Sequence, residues 1–304
     1  MADTAALLVW GALVWVVCAL WPGHVPFLGP FVFNPVEFLG LWSALVWYVR
    51  GLVLMADRPS AVRIATALVG WGSIYFVLQT HFEYWAQHMF CLNRTTALVS
   101  GMFGPFLLSF GDVGRVLHAG APRWALRATR AVTPLMLAIS RPLPAALLML
   151  ASTDVWLIPR VQFIAMLNPW AYGAMNISGL VFGLIFWLMV LDDRPKPPCR
   201  FSYIVRAGTG FLVMFPQMPL SAYIALTTHD LYTVYAVCGR LFPLISAQYD
   251  QMLGGLIQWI PAGAMNTAAL LICLNSLRIS EAEDDKHFVP PPGAKIYEAK
   301  WTGR

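Results

Sequence analysis

The residues best suited to chemistry in this chain lie in one short stretch: His81, His88, Met89 and Cys91. Imidazole, thioether and thiolate are the donors that soft or borderline copper ions prefer. His81 and His88 are seven residues apart, about two helical turns, so they share a face if one helix carries both. Two imidazoles at that spacing do not chelate one ion alone, and His229 is the candidate third ligand. The competing account is structural, with interfacial histidines and a core methionine at the head of a helix. The spacing favours it.

Other chemistries find less support. Glu83, Asp154, Asp230 and Asp250 fall near the ends of apolar segments, close to Arg94, Arg160 and Arg240, and read as salt-bridged loops. There is no phosphate-cradling glycine loop, no nucleophile elbow and no HExxH, so the chain is read as a non-enzyme without a catalytic residue. The five cysteines, Cys18, Cys91, Cys199, Cys238 and Cys273, have no paired ligand spacing and read as small buried hydrophobes.

The elements that must position these residues follow from composition. Of 304 residues, 59% are hydrophobic and 12% charged, with a mean hydropathy of +0.64. That excludes an ordinary soluble protein and, with it, a nucleic-acid partner for the net charge of +5. A hydrocarbon core of roughly 30 Å takes about 20 apolar residues per helix, and helices keep every backbone group paired in lipid. The fold class is all-α, a polytopic membrane helix bundle of about eight spans embedded in the lipid bilayer.

The expected spans are Ala5–Trp21, Val36–Met55, Ile64–Thr80, His88–Phe110, Pro142–Leu157, Trp170–Leu191, Tyr203–Thr227 and Gln251–Leu274. A basic connection covers 111–130, and 131–140 is expected in the membrane interface. The transmembrane domain then covers 1–277, and 278–304, with its acidic cluster and triple proline, is a polar extension. With eight spans, all of the 20 Lys and Arg except Arg94, Arg160 and Arg240 fall on one side. The positive-inside rule makes that side cytoplasmic, places both termini there, and suits a multi-pass protein of the bacterial inner membrane.

Several ordered landmarks carry a resemblance. FNPVEFLG followed by WYVRG, then HMFCLNRTTALVSGMFGPFLL, NPWAYGAMNISGLVFGLIFW, PLSAYIALTTHDLY and YDQMLGGLIQWIPAG together resemble the CtaG-like assembly factors of cytochrome c oxidase, from about Asn34 to Leu274. Those are polytopic proteins associated with copper delivery to the oxidase. Asp250, Gln251, Gly254, Gly255, Trp259 and Pro261 match the family-typical closing pattern, and Arg94, Gly104 and Pro105 match helix-packing positions. The resemblance implies a seven-span core with Ala5–Trp21 as an added helix.

It also implies histidines that this chain lacks. The family's ligands map to Asn93 and Ala97 in one helix and to Tyr172 and Asn176 in another. Neutral imidazole is a principal nitrogen ligand for copper, and an i, i+4 pair permits two-point chelation. Amide, methyl and phenol do not replace it. The implied function is a non-catalytic scaffold or accessory subunit of a respiratory, copper- or haem-dependent membrane complex, with no cofactor of its own. The alternative is an oxidase assembly factor that handles copper through the relocated set His81, His88, Met89, Cys91 and His229.

Overall fold

The computed structural model describes residues 2–31, 33–197 and 199–287, and no strand occurs among them. Helix α1 (Ala2–Leu20) leads through a single turn at Pro22–His24 to α2 (Pro35–Leu54). Asn34 fixes the start of α2. Its Oδ1 accepts the Val36 and Glu37 N–H groups at 3.0 and 3.4 Å, and Pro35 occupies a first-turn position that needs no donor. Helix α3 (Ala61–Gln79) starts under Ser60 and α4 (His81–His88) under Thr80, each hydroxyl accepting a first-turn N–H.

Helix α5 (Phe90–Leu98) continues through a π-helical turn at Val99–Phe103 into α6 (Gly104–Phe110). The wide turn directly precedes Pro105, which has no N–H to give the carbonyl four residues back; Gly104 N–H reaches Val99 O instead. Helix α7 (Val113–Gly120) follows a 77° bend, at which Asp112 adopts a left-handed conformation. Helices α8 (Arg123–Ile139) and α9 (Pro142–Asp154) meet at 93°, where Pro142 opens a new helix rather than extending the old one. Then come α10 (Pro159–Leu167), α11 (Pro169–Val190), α12 (Tyr203–Leu226), the short α13 (Val234–Cys238) and α14 (Ala247–His287).

The helical bundle agrees with the sequence, but its span map is less uniform. Five helices are long and apolar enough to cross a membrane, and each bent pair adds one if it counts as a single span, giving up to seven. The expected first span is present as α1, with an apolar part, Ala5–Leu20, shorter than a full crossing. The expected connection over 111–130 is helical, holding α7 and the start of α8. The expected interfacial stretch 131–140 is the second half of α8, a helix that buries only Ala125. The polar extension begins as helix, since α14 runs without a break from the last span through Glu281 and Glu283. The proline cluster at 290–292 lies outside the described residues.

Glycines set a close crossing between α11 and the π-helical turn. A Cβ on Gly183 of α11 would collide with the Gly101 carbonyl oxygen, and one on Gly101 would lie 3.5 Å from Gly179 O. Small residues let two backbones meet where larger ones would hold them apart. The starts of α2, α5, α11 and α14 and the ends of α3 and α12 gather at one end of the bundle, the Asp250 end. At the opposite end Arg206 is fully buried and donates to the Asp192 and Arg194 carbonyls, the latter at 3.0 Å, with its guanidinium 4.4 Å above the Tyr203 ring. Its side chain is clamped by loop backbone and does not reach solvent as a snorkelling arginine would.

Candidate functional site

Helix α14 delivers Asp250, fully buried in its first turn, to the start of α5. The carboxylate accepts the Phe90 N–H on Oδ2 and the Cys91 N–H on Oδ1, both at 2.9 Å. The residue at the head of α5, Met89, has no side chain able to cap it, so a carboxylate from a distant helix serves the first turn. Arg240 lies 2.8 Å from the same Oδ2 and 3.8 Å from Asp230. The salt-bridged reading of Asp230 and Asp250 holds. Glu83 and Asp154 are in no ion pair among the described residues.

Gln251 ties the next segment down. Its Oε1 accepts the Leu231 N–H at 2.8 Å, and its Nε2 faces the carbonyls of Ile224, His229 and Thr227 at 3.2, 3.1 and 3.4 Å. Gly254 leaves room for the Phe90 ring, and a Cβ on Gly255 would stand 2.7 Å from the Ala225 nitrogen. Asp250, Gln251, Gly254 and Gly255 thus seat α14 against α5 on one side and α12 on the other. Trp259 and Pro261 follow within the same helix, half-buried.

Below this junction is a buried polar network. Asn93 Oδ1 accepts from Arg94 Nη2 at 2.5 Å and from Gln162 Nε2 at 3.1 Å. Gln162 also reaches the Tyr235 hydroxyl at 2.9 Å, and Asn93 Nδ2 contacts the Met166 sulfur at 3.7 Å. Arg94 is 1% exposed, forms no ion pair among the described residues, and lies 5.4 Å above the Phe90 ring. Gln162, Met166 and Tyr235 were not singled out from sequence. A lone amide inside the apolar run PRVQFIAML was the available signal for Gln162.

Three of the four positions where the resemblance places copper ligands lie at this network, and the fourth, Tyr172, packs nearby. Ala97 from α5 and Asn176 from α11 line one cavity of about 20 Å³ with Arg94, Ser100, Thr153 and Gln258. That is room for about one water. Asn93 is committed to the network, and Tyr172 is fully buried with its ring 4.9 Å from that of Phe33. The donors around the cavity are amides, hydroxyls and a guanidinium, with the Met175 thioether the one soft group and no imidazole or thiolate beside it, a poor fit for a copper ion.

The alternative ligands are dispersed. His81 packs between Phe27 and Phe31, with ring centroids 6.0 and 4.8 Å away. His88 Nδ1 lies 2.7 Å from the Gly239 carbonyl, which requires the proton on that nitrogen, and its ring packs against Tyr84. Met89 is buried, Cys91 gives its backbone N–H to Asp250, and His229 is exposed, contributing only its carbonyl to Gln251. Among the described residues no three His, Cys, Asp or Glu are placed to hold one metal ion.

The order of these helices, and the closing set Asp250, Gln251, Gly254 and Gly255 that seats α14 against α5, can be compared with known families. The family model described as cytochrome c oxidase caa3 assembly factor (Caa3_CtaG) matches residues 46–278, most of the chain. The chain belongs to the CtaG family. No curated protein and no solved structure matches it. The family match begins inside α2 and ends in α14, so the CtaG core includes the Asp250 junction and the Asn93 network, while α1 lies outside it.

Glu83 stands apart from this saturated region. It is fully buried in α4 and neither carboxyl oxygen has a partner. Burial, and then the nearby Glu37, push its carboxyl well above the usual glutamate range.

Proposed function

We propose that this CtaG-family protein works without a copper ion of its own, as a non-catalytic scaffold or accessory subunit attached to an integral-membrane respiratory or other copper- or haem-dependent complex. The observation that carries this reading is Asn93. At a position where the resemblance calls for a copper-binding imidazole, its side chain is held between Arg94, Gln162 and Met166 in a closed network. A guanidinium beside that position is a further charge against a bound cation.

The network also explains how the frame persists without metal. Polar groups that hydrogen-bond one another satisfy the interior where a metal cluster would otherwise order the side chains. The helices are then free to serve as a docking body in the bilayer.

Gentle purification of the native protein from its own membranes tests the proposal. Co-purification with oxidase or other respiratory subunits is expected, and a monomer that never carries an integral-membrane enzyme sinks it. Copper analysis after Cu(I) loading tests the metal-free part. Stoichiometric copper that disappears in His88→Ala would transfer the function to the relocated set His81, His88, Met89, Cys91 and His229.

A further inference from the structure

A second cavity has no part in the junction. It encloses about 330 Å³ between α2, α3 and α11, with α7 closing one end, a volume in the range that holds small-molecule ligands, roughly 300–1,000 Å³. On α2 it is lined at positions 37, 40, 41, 44, 45 and 48, one helical face over three turns, so it is a groove about 16 Å long. Its walls are apolar except at the ends. Glu37 stands at one end, 6% exposed, with Asn34 Nδ2 on Oε1 at 3.0 Å and no partner on Oε2. Tyr48 stands at the other, 4% exposed, its hydroxyl also without a partner.

Two buried polar atoms left unmet at the ends of an apolar trough call for a ligand, because each costs free energy unless hydrogen-bonded. The groove is also accessible from the side. Nothing lies within 4 Å of a Cβ placed on Gly40, and the rim residues Leu68 and Ile177 are 42% and 37% exposed. In a bilayer that side faces lipid.

We infer that this groove binds an elongated hydrocarbon carrying a hydroxyl head, with the chain along α2 and the hydroxyl on Glu37. A hydroxyl both donates and accepts, so it satisfies a carboxyl in either protonation state. An ammonium head needs the ionised carboxyl and a carboxylate head the protonated one. Aliphatic alcohols and quinols share this chemistry.

Photolabelling of the full chain in lipid nanodiscs tests the assignment. The probes are a diazirine-bearing long-chain primary alcohol and the same chain without the hydroxyl. The alcohol is expected to label α2 and α3 peptides, and Gly40→Leu and Ala44→Phe, which independently fill the groove, should each cut that labelling about tenfold. Glu37→Met should weaken the alcohol about tenfold, the loss of one strong hydrogen bond, and leave the hydroxyl-free probe unchanged, while Glu37→Gln restores binding. Equal labelling by both probes, or labelling that neither filled variant reduces, overturns the site. Competition by a short-tailed quinol or by an unlabelled alcohol supports it, the stronger competitor naming the head group. Competition by neither overturns it.

Discussion

The Asp250 junction and the Glu37 groove begin at the same end of the bundle and treat buried carboxylates in opposite ways. At the junction both Asp250 oxygens are occupied, by two backbone N–H groups and a guanidinium. At the groove, Glu37 keeps one oxygen free, and neighbouring Glu83 keeps two. A buried carboxylate whose partners are all supplied by the protein is a fastener. One whose partners are missing has capacity left for something that arrives from outside.

The largest expected effect breaks the fastener. Asp250→Ala leaves two N–H groups and Arg240 without their acceptor in a buried site, and we expect a loss of about 3–5 kcal/mol. Reversible unfolding in mixed micelles measures it. A loss under about 1 kcal/mol would mean that Asp250 is not the cap of α5.

Next is the crossing that holds α11 against the α5–α6 helix. Gly183→Val should cost about 1–3 kcal/mol, because the side chain meets a backbone carbonyl rather than a movable side chain. Gly40→Leu, at an open position, serves as the control and should leave stability nearly unchanged in the same assay.

Arg94→Met should matter less. The guanidinium has no carboxylate partner, and Asn93 Oδ1 keeps Gln162 when it is removed, so a change within about 1 kcal/mol is expected. A loss above about 3 kcal/mol would reveal an anion that neutralises Arg94 in the membrane, and the contrast between the two regions would then weaken.

The smallest effect is a slope. Glu83 has a raised carboxyl, so the folded chain binds a proton that the unfolded chain releases near pH 4.5. Its contribution is complete below that value and declines as pH rises toward the folded pKa. Melting temperature should therefore fall with rising pH above 4.5, and Glu83→Gln should flatten the curve. An unchanged slope in the variant would show that the Glu83 carboxyl is already ionised when folded.

Much of this frame was readable in the sequence, because hydropathy reports on one helix at a time. The Gly254–Gly255 pair and GMFGPF announced close packing, and the structure provides it. What stayed hidden depends on contacts far apart in the chain. Asp250 caps a helix 160 residues away, and nothing in YDQMLGG says which donors it meets. Glu37 escaped notice as an ordinary first-turn acid, the residue type that a helix start favours, and only the groove beside it gives it meaning. The acidic stretch after Arg278 reads from its polarity as a polar extension, with no sign that it is helical. It continues α14 because a helix already nucleated in the membrane extends at little cost through residues such as Glu and Ala.

That continuation gives α14 a mechanical character. At 1.5 Å per residue its 41 residues measure about 60 Å, twice the thickness of the hydrocarbon layer. One end grips α5 through Asp250, and the other projects clear of the bundle with Glu281 and Glu283 exposed. Held at one end by Asp250, a helix of that length carries its acidic turns well past the apolar stretch that packs in the bundle.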